Sequence, residues 1–254
     1  GNSACIGISQ SGQSPDIVKM TQSATKQGAL TVAITNEPAS PLADACKHTI
    51  PIHAGTERSV AATKTFVTSA VAGLALLAHW KQDKHLIEAI EKLPQYLENA
   101  VSYDWPELRH SLEDHGSLFV LGRGPSYAIS NEAALKFKET CQVHAESYSS
   151  AEVLHGPVSI VEPGYPVLAL ASRDASEDSI ASVADELTQK GALTFISSDR
   201  AEYAKRLDFA KTSHPLTDPL ALIVSFYAFI ERLSVERGIN PDLPRNLKKV
   251  TETV

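Results

Sequence analysis

The sequence lacks a cluster of basic residues and a long hydrophobic run. Its 254 residues include 23 Lys and Arg against 30 Asp and Glu, for a net charge of −7. This balance, without a basic run, argues against nucleic acid or an anionic membrane surface as the main partner. The longest apolar segment, residues 66–80, is Ala-rich and shorter than the roughly 20 residues that span a bilayer. It predicts a buried helix, and we expect any bound anion to be small.

Cysteine is scarce, and a secretion signal is not visible. The three cysteines, Cys5, Cys46 and Cys141, are far apart and show no paired spacing typical of zinc ligands. Three separated cysteines also do not suggest a disulfide framework. The first residues, GNSACIGIS, have neither the basic start nor the long apolar stretch of a secretory signal. These absences predict a cytoplasmic protein without a metal centre.

The most informative feature that is present is an internal repeat. KQGALTVAITN at residues 26–36 and QKGALTFISSD at residues 189–199 share a glycine, the triplet ALT and a β-branched run, at an offset of 163 residues. Extending the alignment backwards pairs residues 4–27 with residues 167–190, each a strand, a polar turn and an amphipathic helix. Such strand-helix-strand units predict doubly wound parallel sheets of the α/β class, with ligands at the carboxyl ends of the strands.

Each copy is followed by the same two elements. A short extended piece is predicted at residues 48–55 and at residues 208–214. A long helix rich in Ala and Leu is predicted at about residues 61–80 and 217–237. Helices of this kind can also pack together between subunits.

The repeat divides the chain into two α/β domains. We predict a first domain at residues 1–80, a helical connection at residues 81–116 and a second domain at residues 117–254. The second copy is preceded by a further strand, within SLFVLGRGPSY at residues 117–127, and by a helix at about residues 128–143. The first copy has no counterpart of this pair. We expect the first domain to be incomplete at its amino terminus, because a sheet without that strand exposes an apolar edge.

A polar turn follows the first strand, at Ser9, Gln10, Ser11, Gly12 and Ser14. It stands where a helix begins, so free N–H groups and the helix dipole can hold a phosphate without Arg or Lys. The hydroxyls and the amide add donors, and the glycine lets the backbone approach a ligand. A serine-rich helix cap without any ligand is the simpler interpretation.

The sister turn, residues 172–177, favours the first interpretation. It also begins a helix, but Asp174 and Glu177 would repel a phosphate. Only the first turn is free of acids. The comparison therefore predicts an anion cradle at residues 9–14.

Charged residues of the second domain form a candidate second part of a site. Glu132, Lys136 and Glu139 fall on one face of a predicted helix, as either a solvated stripe or the wall of a polar cleft. The opposite face, with Ala133 and Phe137, is apolar and can be buried. That apolar face favours the cleft.

A histidine and a basic tail complete the candidates. His155 precedes a Gly-Pro turn, which is a typical place to display a side chain, although a lone histidine is more often structural. The tail, residues 238–254, carries Lys248 and Lys249 and is either a solvated basic end or part of a site.

Together these pieces resemble the sugar isomerase (SIS) domain family. The matching words are SQSGQS (9–14), ERSVAATKTF (57–66), LGRGPSY (121–127), EAALKFKE (132–139), AESYSSAEVLHGP (145–157) and DLPRNLKKVT (242–251). They cover nearly the whole chain and are similar to the isomerase half of glucosamine-6-phosphate synthases and to related deaminases. The resemblance implies two SIS domains of three α/β/α layers and a sugar-phosphate substrate. It also implies no cofactor and no metal, and a homodimer with shared active sites.

The resemblance also implies residue roles. Glu139 corresponds to the base that moves a proton between C1 and C2, His155 to the residue that opens the sugar ring, and Lys249 to the lysine near the open-chain carbonyl. The implied substrate- and phosphate-binding residues are Ser9, Gln10, Ser11, Ser14, Val60, Glu132, Lys136 and Lys248. Ala62 stands where the synthases have a serine, so no side-chain contact is carried over to it.

Three functions are compatible with this resemblance. Gln13 and the tail NPDLPRNLKKVTETV look more like the stand-alone deaminases, which release ammonia from glucosamine 6-phosphate and form fructose 6-phosphate. The first alternative is the isomerase domain of glutamine-fructose-6-phosphate aminotransferase, which also needs a glutaminase domain. The second is a non-enzymatic sensor of sugar phosphates, which needs only the phosphate turn. Glu139, His155 and Lys249 favour an enzyme.

Overall fold

Two parallel sheets organise the chain. The computed structural model describes residues 3–113, 115–247 and 249. It divides into one unit of Gly1–Asp83 with Asn246–Val254 and a second unit of Lys84–Arg245. Within the described ranges, no helix is long and apolar enough to cross a membrane.

The first unit contains a three-stranded parallel sheet in the order β1-β2-β3. Its elements are β1 (Ala4–Ser9), α1 (Pro15–Lys26), β2 (Leu30–Thr35), α2 (Pro41–Ala45), β3 (His48–Pro51) and α3 (Lys64–Lys81). Pro15 suits the first turn of α1 because that position has no intrahelical acceptor for an N–H group. Gly28 ends the helix at a φ of +82°, a conformation that glycine adopts without strain.

β1 carries apolar side chains that are exposed on one face of its sheet. In the described chain β1 pairs with β2 alone, and Ile6 and Ile8 are 45% and 53% exposed. In the second unit, the corresponding strand has neighbours on both sides and its residues are buried.

Helix α3 corrects one expectation. The apolar run at residues 66–80 does form a helix, but only Thr65, Val67 and Ala78 of α3 are buried, and Trp80 is 80% exposed. The prediction of a buried helix was therefore wrong: α3 is apolar around most of its circumference, but most of its residues are half-buried or exposed.

The second unit contains a five-stranded parallel sheet in the order β5-β4-β6-β7-β8. Its elements are α4 (Lys84–Ala100), α5 (Pro106–Ser111), β4 (Ser117–Gly122), α6 (Pro125–Cys141), β5 (His144–Ser149), β6 (Pro166–Ala169), α7 (Glu177–Gln189), β7 (Leu193–Ile196), β8 (Lys205–Arg206) and α8 (Asp218–Glu236), with a short 3-10 helix at Pro157–Ile160. Consecutive residues of β4, β6 and β7 are buried, so both faces of the sheet are covered.

Most elements of the repeat were predicted from the sequence. The strand-helix-strand order recurs as β1-α1-β2 and β6-α7-β7, and both strand pairs are parallel, which confirms the α/β class. The prediction of an extended piece at residues 208–214 was wrong, because the strand lies earlier, at Lys205–Arg206. Phe209 and Ala210 are buried in a loop, and their apolar character imitates a strand. The hydrophobic pattern does not predict β5, whose sequence HAESYS is largely polar.

Candidate functional site

The polar turn after β1 keeps several donors available. Ser9 Oγ accepts the N–H of Gly12 at 3.1 Å, and Ser11 Oγ accepts the N–H of Gln13 at 3.3 Å. Since both oxygens act as acceptors, each hydroxyl retains its hydrogen for another partner. Ser14 precedes α1, yet its side chain makes no capping hydrogen bond there. The turn therefore differs from an ordinary serine cap and has the donor set of an anion site.

Gly12 sets the shape of this turn. Its φ is +63°, and a Cβ atom at this position would lie 2.0 Å from Ser40 Oγ. Ser40 is fully buried and caps α2. The backbone of residue 12 therefore lies against a fixed neighbour and requires glycine.

The sister turn is filled by its own side chains. Arg173, which aligns with Gln10, donates from Nε and Nη2 to the two carboxylate oxygens of Asp218, each at 2.8 Å. Asp174 Oδ1 accepts the N–H of Ser176 at 2.7 Å. The carboxylate of Asp174 thus lies at the start of α7, where a phosphate would otherwise bind. This agrees with the expectation that the second turn only begins a helix.

An open cavity lies beside the first turn, at the carboxyl ends of the strands. Its volume of about 520 Å³ is within the range of roughly 300–1,000 Å³ that is typical of small-ligand pockets. The lining residues are Gln10, Asn36, Glu37, His53, Gly55, Thr56 and Glu57. Asn36 holds the wall together, donating to the carbonyl of Gly55 at 2.8 Å and accepting the N–H of Ala54 at 2.9 Å.

The charged face of α6 is a buried cluster. Lys136 Nζ lies 3.0 Å from Glu132 Oε1 and 2.9 Å from Glu139 Oε2. The side chains of Lys136, Glu132 and Glu139 are 4%, 8% and 19% exposed. The solvated stripe is thereby excluded. One ammonium between two carboxylates leaves a net negative cluster, with Glu139 as its more accessible end.

Tyr227, on α8, is a member of this cluster that the sequence did not reveal. Its hydroxyl donates to Glu132 Oε1 at 2.7 Å. Packing of Phe137 against Phe226 and Phe229, with ring centroids 5.3 and 6.2 Å apart, brings α8 to α6. Contacts between helices 95 residues apart leave no local signal in the sequence.

Replacing Tyr227 with Phe is expected to lower the free energy of unfolding by about 1–3 kcal/mol, because a buried carboxylate loses a donor. Urea denaturation measures this change. Tyr203→Phe, at a residue that is 57% exposed, is the matched control and should stay within about 0.5 kcal/mol of the parent protein. Equal stability of the parent and Tyr227→Phe would show that the hydroxyl does not support the cluster.

His155 lies on an exposed turn, as its Gly-Pro sequence predicts. Its N–H donates to the carbonyl of Glu152 at 2.9 Å. Gly156 follows with a φ of +137°, and the 3-10 helix begins at Pro157. The histidine is therefore displayed on a bend rather than packed in the core.

The tail lysine and the loop before α3 lie together in the first unit. Lys249 Nζ donates to the carbonyl of Ser59. The next residue, Val60, is half-buried. Lys249, which was predicted to be catalytic, and Val60, which was predicted to bind the sugar, are thus neighbours of one carbonyl group. Lys248 lies outside the described residues.

Glu57 is a second residue that the sequence did not reveal. Its side chain is buried, and Oε1 accepts the N–H groups of Thr63 at 2.9 Å and Thr65 at 3.3 Å. The Thr65 hydroxyl donates to Oε2. Burial alone would raise the pKa of Glu57, but these three hydrogen bonds and the charge of Lys249 together hold that pKa below its ordinary value.

Comparison with known proteins identifies the family. The SIS domain model matches residues 2–79 and 111–199, well over half of the chain. The chain belongs to the SIS domain family. The resemblance found in the sequence is therefore confirmed, and the two matched segments correspond to two SIS repeats.

Similar proteins include isomerizing aminotransferases and phosphosugar isomerases. A crystal structure from Silicibacter pomeroyi DSS-3, assigned as a phosphosugar isomerase, is 60% identical, with a TM-score of 0.91 over 94% of this chain and 73% of that one. The glutamine-fructose-6-phosphate aminotransferase (isomerizing) of Pyrobaculum aerophilum is 34% identical over 96% of this chain and 42% of that protein. The chain thus spans about two-fifths of the curated relatives that it matches.

A deaminase shares the fold. The glucosamine-6-phosphate deaminase structure from Thermotoga maritima has a TM-score of 0.79 and 20% identity, covering 99% of this chain and 76% of that one. At this identity the likeness concerns the fold alone.

Proposed function

We propose that this SIS protein converts glucosamine 6-phosphate and water to fructose 6-phosphate and ammonia. The observation that carries the proposal is the buried cluster on α6, where Lys136 bridges Glu132 and Glu139. Such a carboxylate, partly shielded from water and next to an ammonium, suits proton transfer at carbon. The aldose-to-ketose step requires this transfer.

In the proposed reaction, each group has one task. The turn at residues 9–14 binds the phosphate, using Ser9, Gln10, Ser11 and Ser14, and this binding energy positions the sugar. His155 moves a proton between the ring oxygen and the C1 hydroxyl to open the ring. Both tasks precede the transfer at carbon.

The transfer itself then falls to Glu139. It takes the proton from C2 while water protonates the C1 oxygen, which gives an enolamine. It then returns the proton to C1 while the nitrogen gives a proton to water, which gives an imine at C2. Water adds to this imine, the C–N bond breaks, and ammonia leaves. Lys249 stabilises the negative charge that develops on the C1 oxygen during the transfer.

Ammonia release tests this proposal. We expect the protein to form fructose 6-phosphate and ammonia in equal amounts from glucosamine 6-phosphate, measured with coupled enzyme assays. Absence of both products, with Glu139 and His155 intact, would contradict the proposal. Binding of the sugar phosphate without turnover would instead indicate a sensor.

The isomerase domain of an aminotransferase is the second candidate. It is favoured by the 34% identity to such an enzyme over 96% of the chain. Formation of glucosamine 6-phosphate from fructose 6-phosphate that depends on glutamine would distinguish it. Gln13 and the tail sequence favour the deaminase. We also propose that the protein is a homodimer.

A further inference from the structure

Helix α3 begins without a cap of its own. Thr63 stands at the N-cap position, where its side chain makes no capping hydrogen bond. The first N–H groups of a helix have no intrahelical acceptor and need one from elsewhere. Glu57, six residues before the cap, supplies it by accepting the N–H groups of Thr63 and Thr65.

The same carboxylate closes the loop at residues 58–63. Glu57 directly precedes the loop, and its carboxylate accepts hydrogen bonds from Thr65, which follows the loop. The two ends of the loop are therefore held together. The carbonyl of Ser59 projects from this loop and accepts the ammonium of Lys249. The loop therefore determines where that carbonyl, and the lysine bound to it, are placed.

Charge reinforces the geometry. Glu57 is 8% exposed, so little water screens its carboxylate. The positive charge of Lys249 attracts the Glu57 carboxylate. Lys249 is thus held by this attraction as well as by its hydrogen bond to the carbonyl of Ser59.

We propose that Glu57 is a positioning residue for Lys249: it caps α3, shapes the loop at residues 58–63 and holds the tail lysine in place for the reaction. The proposal rests on the function proposed above. Glu57 itself does not react. Its loss should slow turnover by displacing Lys249, and should leave the phosphate turn unchanged.

Glu57→Gln tests this role, since the amide keeps an oxygen acceptor but removes the charge. We expect kcat with glucosamine 6-phosphate to fall by about ten- to a hundredfold, as for a small misplacement of a catalytic group, and KM to change less than kcat, because the phosphate turn keeps its own residues. Asp44→Asn, which removes an exposed carboxylate of the same unit, is the matched control and should keep the parent kcat.

A double-mutant cycle decides whether Glu57 acts through Lys249. The double variant Glu57→Gln/Lys249→Met should be no slower than Lys249→Met alone. Additive losses, or the parent kcat in Glu57→Gln, would overturn the proposal. Should Glu57→Gln not fold, Thr65→Val, which removes one donor to the carboxylate, should show a smaller loss of kcat with the same dependence on Lys249.

Limited trypsin digestion separates this proposal from the proposed function. Cleavage after Lys249, followed by intact mass, should be faster in Glu57→Gln than in the parent protein and in Asp44→Asn, because the released lysine is accessible to the protease. This readout does not require turnover. Faster cleavage in a protein that releases no ammonia would support the positioning role while contradicting the deaminase. Equal cleavage rates would contradict the positioning role.

Discussion

Replacing Glu139 with Gln is expected to lower kcat with glucosamine 6-phosphate by about 10²- to 10⁴-fold, the usual loss when a general base is removed. The amide has the same shape and can still accept from Lys136, so the fold should be retained. KM should change little, because the substrate's phosphate is bound by other residues. Steady-state kinetics with an ammonia assay measures both constants.

Glu162→Gln is the control for this prediction. It makes the same chemical change at an exposed residue of the second unit and should keep the parent kcat. A Glu139→Gln protein that retains more than a tenth of the parent kcat would show that another group moves the proton.

Replacing Gly12 with Ala is expected to weaken sugar-phosphate binding at least tenfold. The new Cβ would lie 2.0 Å from Ser40 Oγ and 2.5 Å from Ser40 Cβ, so the turn must move. The φ of +63° adds a backbone cost of about 1–2 kcal/mol for a residue with a side chain. Displaced N–H groups can no longer converge on a phosphate. Isothermal titration with fructose 6-phosphate measures the change in Kd.

Gly28→Ala is the control that separates the effect of backbone strain from the effect of displacing the turn. Gly28 also has a positive φ, +82°, but a Cβ atom there would meet nothing within 4 Å. It lies at the opposite end of α1. We expect Gly28→Ala to lose stability and keep the parent Kd. If Gly12→Ala binds fructose 6-phosphate as tightly as the parent protein, the turn is not the phosphate site.

The parallel sheets and the acid-free turn could be predicted because their signals are local and repeated. The triplet ALT after a helix-ending glycine occurs at Gly28 and at Gly191, and each marks the same step of a strand-helix-strand unit. The difference in charge between the two turns is also visible in the sequence, because neutral Ser11 aligns with acidic Asp174. In the structure, Asp174 does accept an N–H group of its own turn.

Tyr227 and Glu57 could not be found in this way. Tyr227 reaches Glu132 only because the apolar faces of two helices pack together, and the sequence separation conceals the pair. Glu57 occurs in the matched word ERSVAATKTF, but its sequence gives no sign that the carboxylate turns back to the N–H groups of Thr63 and Thr65. The burial of Lys136 is likewise a tertiary effect, since an i, i+4 pair of charges is usually exposed.

The most direct test of the account is the rate of ammonia release from glucosamine 6-phosphate by the parent protein and by Glu139→Gln, measured side by side. We expect the parent protein to release one ammonia for each fructose 6-phosphate formed. We expect Glu139→Gln to retain at most about a hundredth of that rate. No ammonia from the parent protein, or equal rates from the two proteins, would contradict the account.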